Sequence, residues 1–258
     1  MFFSYCSLEV TTSLWASTYL VQNWDFSPET AAGYASMFYI GITLARFVNG
    51  FLAMKWNDHS VFAIAIHAIY SVREEMILWS VGFARRHGLK IHIHVSETRK
   101  EVEDCKAQHG GMSPVEYLDS LGALGPDVIA AHTLWLSDND IRILGERGVT
   151  CVHNVNSNLK LASGYRFLYN ELRDAGANIC LGTDGCASSN NLDMLETMKT
   201  SAMIQKAWRN DPSAMPIDEL ISMVTSNAAK ALGLNCGRIE EGAAADLIIV
   251  DTENYHYQ

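Results

Sequence analysis

Residues 91–98 read IHIHVSET. Isoleucine and histidine alternate, so the two residue types stand on opposite faces of a strand. One face is built to pack, and the other carries His92 and His94. Past Val95 the apolar pattern stops, and Ser96, Glu97 and Thr98 lead into a helical pattern that opens at Arg99. A strand that ends in histidine just before a helix belongs to a helix-covered parallel sheet, with its chemistry at the strand's C-terminal end.

Outward from this stretch the rhythm repeats. Strands are expected at 61–66, 89–95, 127–131, 149–152 and 178–181, and helices at 73–87, 99–108, 114–121, 137–147, 167–175, 192–209 and 217–232. Ser137 and Asp140 form a capping-box pattern at one helix start. Apolar strands alternating with amphipathic helices predict an α/β architecture with a parallel sheet. The stretch 237–251, GRIEEGAAADLIIVD, breaks the rhythm with a glycine-rich turn and a final β run at 247–250.

His67, His94, His132 and Asp184 each stand at or just past the end of one of these strands. In a (β/α) barrel such ends converge on one face, where active sites form. Glu97 lies where the chain leaves the sheet, three residues beyond His94. A histidine ligand with a nearby carboxylate suits metal-assisted hydrolysis, in which the metal lowers the pKa of a water and the carboxylate moves protons. In LGTDG, 181–185, Asp184 is placed as a hard ligand or base, and Gly185 lets the backbone turn. His92 is either a second ligand or a side chain packed deeper in the barrel. The polar stretch 153–164, HNVNSNLKLASG, is either a capped turn or part of the site.

Composition sets the outer limits. The chain has 258 residues, 48% of them hydrophobic and 19% charged, with a net charge of −10. This is globular composition, which excludes a disordered or collagen-like chain. The acidic balance argues against a nucleic-acid partner and for small-molecule substrates. Cysteines stand at 6, 105, 151, 180, 186 and 236 with no CxxC pair, so reduced thiols and a cytoplasmic location are expected for residues 58–258.

The first 57 residues read differently. From 31 to 54 Arg46 is the one charged residue, and 24 residues of helix match a bilayer core of roughly 30 Å. The runs YCSLEVTTSLWASTYLV (5–21) and MFYIGITLARFVNGFLAMK (37–55) resemble two neighbouring helices of a major facilitator transporter. The resemblance implies an α-helical hairpin of membrane type, with membrane contact through 31–54; the other reading is a pair of buried helices. Two helices cannot form a transport path.

The motifs HAIYSV (67–72), IHIHVSET, AAHTLWLSDNDI (130–141), SNLKLASG (157–164), GTDGCASSNNLDMLETMKTSA (182–202), TSNAAKALGL (225–234) and 237–251 together resemble the amidohydrolase superfamily. Within it they are most similar to 5-methylthioadenosine/S-adenosylhomocysteine deaminases and their chlorohydrolase relatives. The resemblance covers about 59–251. It implies a hydrolase that replaces the amino group of an adenine-type base by water, with one divalent metal: zinc, or else iron or manganese. It implies His94 and Asp184 as metal ligands, with His132 as an optional third. Asp184 also takes a proton from the attacking water. Glu97 contacts the base and shuttles a proton to its ring, His67 contacts substrate, and His132 stands beside the attacking water.

The family's first two ligands form an HxH pair on barrel strand one. Residues 1–60 hold one histidine, His59, and no such pair. Residues 58–236 have room for about six strand–helix units against the roughly 250 residues of a whole barrel. The expectation is therefore an incomplete (β/α)8 TIM-type barrel, about strands four to eight. A transporter-like segment (1–57) precedes it, and a remnant strand of a small β-sandwich (237–258) follows. Weak metal retention and little turnover follow from that reading, and the alternative is a membrane-anchored remnant without chemistry. Open edge strands would favour a homo-oligomer.

Overall fold

The computed structural model describes residues 20–22, 26–31, 33–34 and 63–249. The chain forms two compact units, Met1–Ser60 and Val61–Gln258. In the first unit, residues 20–22, 28–31 and 33–34 are helical, and the rings of Phe26 and Tyr34 stack at 5.5 Å. No described helix is long and apolar enough to cross a membrane. Most of the expected hairpin, including residues 35–54, lies outside the described residues.

The second unit is a succession of strands and helices. Strand β1 (Ala63–Ala68) leads to α1 (Glu74–Arg86), β2 (Lys90–Val95), α2 (Arg99–Gln108), α3 (Pro114–Ser120) and β3 (Val128–His132). Then come α4 (Asp138–Glu146), β4 (Thr150–His153), α5 (Val155–Lys160), α6 (Tyr169–Asp174) and β5 (Asn178–Leu181). Four more helices follow among the described residues: α7 (Cys186–Ser189), α8 (Met194–Arg209), α9 (Ile217–Val224) and α10 (Ser226–Leu232). The five strands pair in chain order, and every pairing is parallel. This is the order of consecutive barrel strands, and it agrees with part of a TIM-type barrel.

Local chemistry sets the helix ends. The Thr98 side chain accepts from the Glu101 amide and starts α2. Ser113 with Glu116, and Ser137 with Asp140, make complete capping boxes at α3 and α4. Glu74 and Glu75 open α1, and Arg85 and Arg86 close it, which complements the helix dipole. One face of the sheet packs on the helices. On β2 the side chains of Ile91, Ile93 and Val95 are buried, whereas His92 and His94 on the other face are half-buried. Phe167, Leu144, Leu172 and Ile77 are among the fully buried side chains of this layer.

Three expectations are corrected. The helix expected at 217–232 is two helices, broken at Thr225, where φ is −123° and ψ −92°. The break turns α10 so that Asn227 can donate to the Ile179 carbonyl at 3.0 Å while its own carbonyl accepts from Asn178, also at 3.0 Å. Gly237, at φ +79°, closes against the break: a Cβ there would lie 2.6 Å from the Thr225 carbonyl oxygen. The stretch 153–164 is not a plain turn, since it contains α5. The β run expected at 247–250 forms no strand over its described residues, and Ile248 and Ile249 are 84% and 99% exposed. No described strand offers it a ladder, and an unpaired strand leaves its backbone groups to water.

Candidate active site

Four successive strands end in histidine. His67 is near the end of β1, His94 near the end of β2, and His132 and His153 close β3 and β4. Asp184 follows β5. The parallel register brings these ends together, with His94 beside Ala68 and Ala131, Val95 beside His132, and His153 beside Leu181. The rings form a row: His67 to His94 at 5.1 Å, His94 to His132 at 5.2 Å, and His92 edge-on to His94 at 5.4 Å.

The backbone at these ends is bent out of the strand conformation. Ser96, His132, Thr133 and Asp184 have φ values of 52°, 73°, 45° and 60°. Non-glycine residues adopt this left-handed region only where the surroundings enforce it, and such residues cluster at active sites. Here the enforcement is visible. The Ser96 carbonyl accepts from the Leu134 and Trp135 amides at 3.1 and 3.0 Å. The buried Glu101 carboxylate accepts from the Ser96 and Glu97 amides at 2.9 and 2.7 Å. Burial pushes the Glu101 pKa up, against the pull of those backbone bonds.

Each functional side chain has an orienting partner. Nδ1 of His94 lies 2.6 Å from the His67 carbonyl oxygen. A carbonyl only accepts, so Nδ1 carries the proton and Nε2 presents its lone pair. This is the arrangement of a metal-ligating histidine. Nδ1 of His132 donates to Oδ1 of Asn158 at 2.7 Å, and its Nε2 stands 3.7 Å from Oε2 of Glu97. Glu97 in turn accepts from the Ser163 hydroxyl at 3.0 Å. Asp184 accepts from the Ser157 hydroxyl at 2.6 Å and from the Gly185 amide at 2.7 Å. Burial lowers the His132 pKa, opposed by the Glu97 charge and the Asn158 bond. Burial pulls His92 down to about 4, with the neighbouring His94 adding to it, so His92 is neutral near pH 7.

Among the expected site residues, His94 meets His132 ring to ring and His132 meets Glu97, the carbonyl of His67 holds His94, and Asp184 is held by Ser157, the chain neighbour of the Asn158 that bonds His132. The His67 ring itself is exposed. Among the described residues no three His, Cys, Asp or Glu side chains group closely enough to hold a metal ion. The expected set of His94, Asp184 and His132 is therefore not a ready-made cage. Nε2 of His132 faces Oε2 of Glu97 at 3.7 Å.

Sequence reasoning missed the supporting residues. His153 is fully buried, stacks on Phe167 at 4.3 Å and has no hydrogen-bond partner on either ring nitrogen among the described residues. Burial pulls its pKa down to about 3. Asn158, Ser157 and Ser163 all lie in the polar stretch 153–164, and the clue was their density in so short a segment. All five described cysteines, at 105, 151, 180, 186 and 236, are free thiols, as expected.

Comparison with known proteins places this geometry. The chain is 50% identical over 196 residues to a 5'-deoxyadenosine deaminase of Methanoregula boonei, a match covering 76% of this chain and 44% of that protein. It is 47% identical to a 5-methylthioadenosine/S-adenosylhomocysteine deaminase of Thermococcus sibiricus, covering 76% of this chain and 46% of the relative. A crystal structure of a Xanthomonas campestris adenosine deaminase with bound zinc superposes with a TM-score of 0.76 at 38% identity, covering 81% of this chain and 48% of that one. The chain thus spans a little under half the length of the curated relatives it matches. The amidohydrolase family model matches residues 43–258. That match includes 43–57, and the transporter resemblance gains no support there. With most of its length inside that match and its strand-end histidines and aspartate laid out on a parallel sheet, the chain belongs to the amidohydrolase family.

Proposed function

We propose that this chain carries the catalytic face of a metal-dependent hydrolytic deaminase for adenine-type substrates such as 5'-deoxyadenosine, methylthioadenosine or S-adenosylhomocysteine. The observation that carries the reading is the His94 Nδ1 bond to the His67 carbonyl, which leaves Nε2 of a strand-end histidine free, its ring 5.2 Å from that of His132. The names of the relatives support the substrate class.

Imidazole nitrogen and carboxylate oxygen suit zinc. His94 through Nε2 and Asp184 through its carboxylate would hold the metal. Bound there, the metal would supply an activated water at neutral pH. The described residues offer fewer protein ligands than the usual three of a catalytic zinc site, so further donors must come from outside them.

The remaining work falls to this chain's own groups. Glu97, steadied by Ser163, donates a proton to the purine ring nitrogen and so makes the amino-bearing carbon electrophilic. Asp184 accepts a proton from the attacking water, and its two hydrogen bonds fix the carboxylate for that transfer. Nε2 of His132, unprotonated in this tautomer, faces Glu97. Loss of ammonia needs a proton on the leaving nitrogen: the one Asp184 took from the water goes there, and the proton left on the new hydroxyl returns to Glu97 as the 6-oxo group forms, so both carboxyl groups are restored. The net change is substrate plus water to the 6-oxo purine plus ammonia.

The test uses the full chain with added zinc and the three substrates, following ammonia release and the adenine-to-hypoxanthine absorbance change. Turnover is expected, with loss in Glu97→Gln and Asp184→Asn. Zinc content should fall in His94→Ala. A separate fragment bearing an HxH strand should raise turnover by adding donors. No turnover under any of these conditions, or variants that match the parent, would overturn the reading.

A further inference from the structure

A cavity of about 690 Å³ opens between α2, the segment after β3 and the segment after α5. Its size suits a small ligand. Neither His94, Glu97, His132 nor Asp184 lines it. Trp135 stands between the two sites, since its Nε1 donates to the Ser163 carbonyl at 2.7 Å while the Ser163 hydroxyl faces Glu97.

The lining combines aromatic rings with unpaired positive charge. Arg99 lies over the Trp135 ring at 4.7 Å, and Arg166 lies 5.6 Å from the centre of the Tyr165 ring. Lys106 completes a row of cations along the wall. In a chain with a net charge of −10, positive groups are scarce. Arg85, Arg142, Arg147, Arg173, Arg209 and Arg238 all have carboxylate partners. Among the described residues Arg99, Arg166 and Lys106 have none, as is also true of Arg73 and Arg86 among the arginines, but the cavity is where two such guanidinium groups line one wall. Two carboxylates also line the cavity. Asp140 is buried and engaged by Ser113 and Ser137, and Glu103 on α2 is exposed. The balance over the cavity is positive, and guanidinium groups laid on aromatic rings keep their edges for an anion.

We propose that this cavity is a binding site for a small aromatic molecule bearing one anionic group. The ring would lie against Trp135 and Tyr165, and the anion would meet Arg99 and Arg166. The site is independent of the deaminase reading, because no residue of the strand-end cluster contributes to it.

The experiment is calorimetric titration of the full chain with 2-naphthoate and with its neutral analogue, 2-naphthamide. The acid should bind saturably at one site, about fivefold or more tighter than the amide at low salt, as a partly exposed ion pair gives. The preference should shrink as salt screens the pair. Arg99→Gln combined with Arg166→Gln should remove the preference, and Trp135→Leu should weaken both ligands. The arginines are exposed, so their replacement tests the site even if Trp135→Leu disturbs folding. Equal binding of acid and amide, absence of saturable binding, or a preference that survives the double variant would overturn the proposal. Loss of naphthoate binding in Glu97→Gln would place the ligand in the strand-end site and overturn it as well. None of these readouts needs enzymatic turnover.

Discussion

Glu97 and His132 face one another from the ends of neighbouring strands, with Oε2 of the carboxylate 3.7 Å from Nε2 of the imidazole. Because His132 spends its Nδ1 proton on Asn158, both facing atoms are acceptors, and a proton placed between them is shared. The proposed deaminase reading uses this pair for proton transfer.

Replacing Glu97 by Gln keeps the shape and removes the ionisable group. Turnover should drop by about 10²–10⁴-fold, the usual contribution of a positioned general acid–base. Substrate affinity should change far less, which steady-state kinetics would show.

Asn158 governs the His132 tautomer. Nitrogen-15 shifts of the ring should report the proton on Nδ1 in the parent and a mixed population in Asn158→Leu. Turnover should fall roughly tenfold or more, as when an orienting partner of a site histidine is lost. An unchanged tautomer in the variant would refute this role.

His153 makes stability depend on acid. Its pKa is near 3 in the folded chain, from burial, against 6.5 ordinarily. Between those values the unfolded chain takes up a proton that the folded chain refuses, so stability falls as pH drops from 6.5 toward 3. Each such proton costs about 1.4 kcal/mol per pH unit. His92, pulled down to about 4, acts in the same direction. His153→Phe preserves the stack on Phe167 and should flatten the slope by one proton's worth in urea titrations at several pH values.

Gly182 sits where β5 leaves the sheet toward Asp184. A Cβ there would stand 2.8 Å from Cγ1 of Val152 and against Oδ1 of Asn154. Gly182→Ala should cost about 1–3 kcal/mol through overpacking. It should also displace Asp184, so the melting temperature and zinc retention would drop together.

Much of the scaffold was readable in the residues. The bounds expected for α2, 99–108, and for β5, 178–181, match the structure, because capping and periodicity act over a few residues. The strand-end positions of His67, His94, His132 and Asp184 followed from the same local alternation. The α9–α10 break was not readable, because it goes with contacts of Asn227 to Asn178 and Ile179, 49 and 48 residues away in the chain. The isolated run at 247–249 has strand composition without a described partner strand, and composition alone cannot supply a ladder.

The site divides the same way. Residue type and position at the strand ends picked out the candidate groups, and the family resemblance supplied the roles proposed for them. Their protonation and aim came from packing. Ser163 reaches Glu97 across 66 residues, Asn158 reaches His132 across 26, and the His67 carbonyl reaches His94 only through the β1–β2 pairing. A hydrogen bond forms within about 3 Å. Distances that short between residues so far apart in the chain exist only once the sheet has closed its strands side by side.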